Sequence, residues 1–229
     1  MKPLYTILFV FIFMLSCKSD KSETPTKDKK ELTIAEKIAN AHGFENWKNV
    51  TEVQFTFAVD RDTIKGSGRS WSWLPKKDSV YAFDGNDTLK YSRKNINSTS
   101  ITPDRAFIND KYWLLVPFQL IWDTTATISE PVKATAPISK TDMDMITILY
   151  PSEGGYTPGD AYDIYYDKHY MIKEWSFRKG NSEEPQLSNT FENYRDYNGI
   201  KIAIDHKKDN GKWNLNFTDV KVKTEIKVF

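Results

Sequence analysis

The residues able to do chemistry are few and scattered. The three histidines, His42, His169 and His206, are too far apart to form a short metal-ligand spacing. No Gly-x-Ser-x-Gly elbow, His-Glu-x-x-His pair or EF-hand loop occurs. Asp142, Asp144, Glu153, Asp160 and Asp163 would hold calcium only if their loops met, and spread carboxylates of this kind are ordinarily solvated, so no metal and no cofactor is expected. Carboxylate pairs for glycoside hydrolysis come from distant strands and leave no local signature, so no catalytic residue is read from the sequence. The stretch Gly154-Gly155-Tyr156-Thr157-Pro158-Gly159-Asp160 has glycines like a phosphate cradle but lacks the Lys-Ser/Thr that completes one. Pro158-Gly159 suits the centre of a type II turn. The alternative is a binding loop on a cavity rim that exposes Tyr156.

The N-terminus explains the lone cysteine. Lys2 precedes an apolar run from Leu4 to Leu15, interrupted only by Thr6. Its 12 residues are too few to span a bilayer, which needs about 18 or more, and match the apolar region of a signal peptide. The run ends in Met14-Leu15-Ser16-Cys17, and a small residue directly before a cysteine resembles the lipobox of bacterial lipoproteins. That resemblance implies cleavage before Cys17 and acylation of it. Two or more acyl chains are what stable anchoring requires. Lys18 stands where Gram-negative sorting would place an inner-membrane aspartate, so the resemblance implies the outer membrane and leaves its face open.

Lys18 to Lys30 carries eight charges and no large apolar residue. It cannot bury enough surface to offset ordering, so a disordered tether is expected, reaching on the order of 20 Å. The expected layout is therefore a signal peptide at 1–16, a lipidated cysteine and tether at 17–31, and a single domain at 32–229. Removing Lys2 from the 32 Lys+Arg leaves 31 against 31 Asp+Glu. A neutral, mixed-sign chain argues against nucleic acid as a partner.

The elements that would position any site are mostly strands. Thr33-Ile34-Ala35-Glu36 matches a capping box, Ile34, Ile38 and Ala41 form a helical stripe, and Gly43 supplies the left-handed end. His42, in the last turn, suits the helix dipole as a cation. Val53, Phe55, Phe57 and Val59 then alternate with more polar residues, as do Arg69, Trp71 and Trp73 with serines. Ser79–Phe83 and Thr88–Ser92 flank the turn Asp84-Gly85-Asn86-Asp87. Pro103 to Trp122 breaks the alternation, and Tyr112 to Trp122 is apolar but for Pro117 and Gln119. This predicts one or two short helices, interrupted at Pro117, that are either plain core or a lid or plug over a cavity. Further strands are expected at 145–150, 161–166, 171–177, 188–194, 200–206 and 213–222. About ten strands joined by hairpins should curl into a strongly curved antiparallel sheet or unclosed barrel, mainly β with a few helices. His206, extending the apolar side of Ile200, Ile202 and Ile204, is expected at a cavity rim.

This order of elements resembles the LolA/LolB-type lipoprotein-carrier fold. The resemblance extends to Tyr150-Pro151, the loop 154–160, and Tyr165-Tyr166-Asp167 leading into Ile172-Lys173-Glu174-Trp175. It implies an unclosed barrel over a hydrophobic cavity with a helical lid, binding acyl chains or other apolar ligands. No ligand-contact motif carries over. A lipid-anchored copy is more like the LolB arrangement than a soluble shuttle.

Two functions follow. One is a membrane-anchored binding protein with Trp71, Trp73, Trp113, Phe118 and Trp122 lining its cavity and Tyr156 and His206 at the rim. The other is an envelope scaffold in which the same side chains are ordinary core. A glycan hydrolase is a weaker alternative.

Overall fold

The structure, a computed structural model, describes residues 31–153 and 157–225. The leader, Cys17, the tether up to Lys30 and Tyr156 lie outside the described residues.

Helix α1 (Ile34–Ala41) begins with the expected reciprocal cap: the Glu36 amide donates to Thr33 Oγ1 at 3.2 Å, and the Thr33 amide donates to Glu36 Oε2 at 2.7 Å. Its buried face is Ala35, Ile38 and Ala39, rotated from the stripe read in the sequence because His42 joins it. His42 is not a solvent-facing cation. It is fully buried, its Nδ1 lies 2.8 Å from the Ile38 carbonyl, and burial pulls its pKa down to about 4. Gly43 follows with φ +90°, the left-handed conformation expected of it.

A first sheet is built from β1 (Val50–Arg61), β2 (Arg69–Leu74), β3 (Ser79–Asp84), β4 (Asp87–Ser92), β13 (Asp205–Lys207) and β14 (Trp213–Thr224), in the order β13-β14-β1-β2-β3-β4. Its spine is the long antiparallel pairing of β1 with β14, which brings the two ends of the domain together. The period-two pattern sends Val53, Phe55, Phe57, Trp71, Trp73, Val80, Leu215 and Phe217 inward.

A second sheet has β5 (Thr127–Ile128), β6 (Val132–Thr135), β7 (Asp142–Leu149), β8 (Ala161–Tyr166), β9 (Ile172–Arg178) and β10 (Leu187–Thr190). Its order is β10-β9-β8-β7-β5, with β6 also on β7. Short β11 (Arg195–Tyr197) and β12 (Ile200–Ile202) form a separate hairpin.

The sheets meet where β10 passes β13. Glu192 bridges Asp205, the Lys207 amide donates to Thr190 Oγ1 at 3.0 Å, and His206 Nδ1 lies 3.1 Å from the Thr190 carbonyl. At the far ends, β4 and β5 share no ladder among the described residues. The result is the antiparallel, unclosed wall expected from the sequence. The strand expected over 200–206 is in fact two, broken at Ala203-Ile204, and this break carries His206 inward. It is 0% exposed, not at a rim.

Candidate functional site

The concave side of this wall is occupied by α2 (Ile101–Leu114) and α3 (Val116–Trp122). They separate at Leu115, whose φ −127°, ψ 31° leaves the helical region. Pro117 sits in the first turn of α3, where its missing N–H is harmless, so proline ends one helix and starts the next. Phe107, Tyr112, Leu115, Val116 and Phe118 are all nearly completely buried.

The two sides of α2 are held by different physics. Towards the first sheet it presents charge. Asp110, fully buried, accepts from Arg69 Nε at 2.8 Å, Arg69 Nη2 at 2.6 Å, Trp71 Nε1 at 2.9 Å and Asn109 Nδ2 at 3.0 Å. That bidentate bond keeps the Arg69 guanidinium pKa raised. Nearly two helical turns earlier, Asp104 accepts from Arg93 Nε at 3.0 Å. A carboxylate is tolerated in such surroundings only when paired and hydrogen-bonded like this.

Towards the second sheet α2 presents rings. Trp113 meets Trp175 edge-on at 4.3 Å between centroids, Tyr112 meets Tyr162 at 5.4 Å, and the Tyr150 hydroxyl donates to that of Tyr112 at 3.2 Å. Contact on this side is incomplete. A groove of about 230 Å³ lies between Asn109, Tyr112 and Trp113 of α2 and Tyr162, Trp175, Phe177 and Leu187 of β8 to β10, with Thr157 at its border. Thr157 also closes the turn read in the sequence, since the Asp160 amide donates to its carbonyl at 3.1 Å with Gly159 at φ +77°.

Several buried polar atoms around the helical segment bond to nothing: Trp73 Nε1, the Tyr91 hydroxyl, Trp175 Nε1, Asn189 Oδ1 and His206 Nε2. Leaving such a group unsatisfied costs about 1–3 kcal/mol. Burial holds the His206 pKa down to about 4, so the ring is neutral; with Nδ1 donating to Thr190, Nε2 is left as an acceptor.

The residues singled out in the sequence fall in two groups around the helices. Trp73, Phe118 and Trp122 pack together, with Trp73–Trp122 at 6.2 Å and Phe118–Trp122 at 5.6 Å, and Trp71 joins through Phe107 at 5.6 Å. Trp113 lies on the other side, borders the groove, and is 5.7 Å from His206. Sequence reasoning missed the buried charges of α2, Asp104, Asp110 and Lys111. No local signal marked them, since all three precede Tyr112, where the segment read as buried begins. It also passed over Tyr162, Phe177 and Leu187, whose convergence depends on strand register.

No family model and no curated protein matches the sequence. Among solved structures, the chain is similar to a LolA superfamily protein from Nitrosomonas europaea, at 8% identity and a TM-score of 0.46, over 85% of this chain and 96% of that one.

Proposed function

We propose that this chain is a lipid-anchored envelope protein, carried on Cys17 and facing the periplasm or the exterior from the outer membrane. It binds an acyl chain or similar apolar ligand between α2 and the second sheet. It acts as a binding protein and not as an enzyme. The observation that supports this reading is the aromatic groove between Tyr112, Trp113, Tyr162 and Trp175, next to buried polar atoms without partners. A side chain interface selected only for packing would be expected to close that groove and satisfy those atoms.

Size limits the reading. Sites for drug-sized ligands run to about 300–1,000 Å³, so 230 Å³ admits one short apolar segment. A larger ligand requires α2 and α3 to move outward as a plug. The paired charges on the first-sheet side would make the helix turn about that edge and part from the second sheet.

The test is lipid extraction and native mass spectrometry of the full chain, beside Leu187→Trp. Leu187 is half-buried at the groove, and the larger indole should fill it. A co-purifying acyl ligand, reduced at least tenfold in the variant at unchanged Tm, is the expected result. A chain that carries no lipid and takes up no added fatty acid is a filled scaffold, the reading favoured by the burial of Phe107, Tyr112 and Phe118.

A further inference from the structure

The first sheet has a second face, turned away from α2 and α3, and it is not flat. Phe55, Trp71 and Trp73 point inward, so their neighbours Gln54, Thr56, Ser70 and Ser72 point out. Register sets these side by side. Gln54 lies opposite Ser72 on one side and Lys221 on the other, while Ser70 and Ser72 lie opposite Phe83 and Tyr81. The two serines are small, so the surface dips over β2 between the rings of β3 and the longer side chains of β1 and β14. Two hollows of about 250 and 320 Å³ occupy the dip, and they share Gln54 and Phe83, so they form one open trough.

A bulge turns Asp219 into this trough. On β14, Thr218 faces Thr56 and Lys221 faces Gln54, so Asp219 and Val220 together stand opposite the single residue Phe55. Val220 packs against the core, and Asp219, at φ +54°, lines the first hollow. A left-handed backbone costs a residue with a Cβ about 1 kcal/mol. The carboxylate is thus held outward against that preference. Its Oδ2 accepts from Thr56 Oγ1 at 3.3 Å. Ser70 Oγ, 2.8 Å from Thr56 Oγ1, is then the donor in that pair and keeps its own lone pairs free. Asp219 Oδ1 and Gln54 Oε1 likewise accept nothing among the described residues. The far wall is fixed by Glu52, which accepts from Ser72 Oγ at 2.7 Å, from Gln54 Nε2, and from Lys223 Nζ at 2.7 Å.

These groups decide what fits. Phe83 is 44% exposed, and Tyr81, two residues earlier on the same face, stands about 7 Å along β3 from it. A floor of serine, threonine and glutamine gives an acyl chain no apolar lining. The open atoms are acceptors beside the carboxylates of Glu52 and Asp219, so an oxyanion is repelled. Lys221 and Lys90, whose ammonium lies 5.2 Å from the Tyr81 ring centroid, oppose a cation. Strands β1, β2 and β3 are each paired on both sides, so no backbone edge is offered to a peptide. A neutral ring with an apolar C–H face and several hydroxyl donors meets every condition.

We infer that this trough is a second binding site, which takes a neutral oligosaccharide. Its pyranose rings lie on Phe83 and Tyr81, and its hydroxyls donate to Asp219, Ser70 and Gln54. The site does not rest on the groove, since the two lie on different sheets and this one faces away from the helices.

The test applies the full chain, in a polyoxyethylene detergent that has no sugar headgroup, to an array of neutral, acidic and sulfated oligosaccharides. Bound glycans are then titrated by calorimetry. Neutral hexose or N-acetylhexosamine oligomers should bind. Phe83→Ala should weaken them at least tenfold, and Asp219→Asn, whose side chain also tolerates the left-handed backbone, several-fold. Both residues are exposed, so Tm should hold in each variant. Ile64→Ala, at a 72% exposed apolar residue outside the trough, should leave binding unchanged. Absence of neutral glycan binding overturns the inference. So does a preference for acidic or sulfated glycans, or binding undiminished by both trough variants. Dimerisation that Phe83→Ala abolishes, with no glycan bound, also overturns it and gives this face to a second copy of the chain.

Discussion

Asp110 and Lys111 are neighbours on one helix, and burial treats them differently. Asp110 gathers four donors, so its charge is matched inside the protein. Lys111 has indole faces alone, and burial pulls its pKa from 10.5 to about 8. The charges acting on it are Arg93, which lowers the pKa further, and Asp104 and Asp123, which raise it. The consequence for stability has a definite sign. Between about pH 8 and 10.5 the unfolded chain binds the Lys111 proton more tightly than the folded one, so folding gains stability as pH rises through that window. Below pH 8 the full penalty applies, on the order of 3 kcal/mol at most. Urea titrations of the wild type and Lys111→Met should therefore differ most at pH 7, with the variant more stable, and converge towards pH 10. A constant difference across that range would show that the lysine does not titrate there. Neither neighbour was legible in the sequence, because the partner of Asp110 is Arg69, 41 residues away, and Lys111 has no partner to find.

Among the elements, those with strong local chemistry were legible. The capping box, the proline break at Leu115-Val116 and the hairpin at Gly85-Asn86 each rest on residues close in sequence. Short strands β5, β6 and β11 were not, because two to four residues with mixed exposure carry no period. The inward turn of His206 was missed because alternation past Ile204 assumes an unbroken strand. Glycine separates two kinds of turn. Gly43 packs against the β11–β12 turn so closely that a Cβ there would sit 1.8 Å from the Gly199 carbonyl oxygen, at φ +90°. At Gly85, φ is +60° and nothing lies within 4 Å. Gly85→Ala should cost only the left-handed penalty, about 1 kcal/mol. Gly43→Ala adds a backbone clash and should cost more than about 2 kcal/mol, displacing α1 from the sheet. Chemical denaturation of the two variants checks the order, and equal losses would show that the close approach relaxes freely.

For the whole molecule, the open antiparallel wall was legible from the count of hairpins, whereas the filling of its concave side was not. Aromatic residues at alternate positions read the same whether they line a cavity or meet a helix. The sequence alone also carries the proposed anchor. Cys17→Ala should move the protein from the membrane fraction to the soluble one, or leave its signal uncleaved, without changing the Tm of the domain. Membrane fractionation and the mass of the mature N-terminus check this, and an unacylated Cys17 would sink the anchor while leaving the groove intact.

An unclosed wall also exposes backbone. Beyond β4 and β6, rows of amides and carbonyls face water with no neighbouring strand among the described residues. Both margins are short and charged: β4 carries Asp87 and Lys90, and Lys133 on β6 holds Asp144 across to β7 at 2.8 Å. Charged, brief borders of this kind resist the addition of a foreign strand. The open side of the wall is thereby kept from seeding fibres between neighbouring molecules.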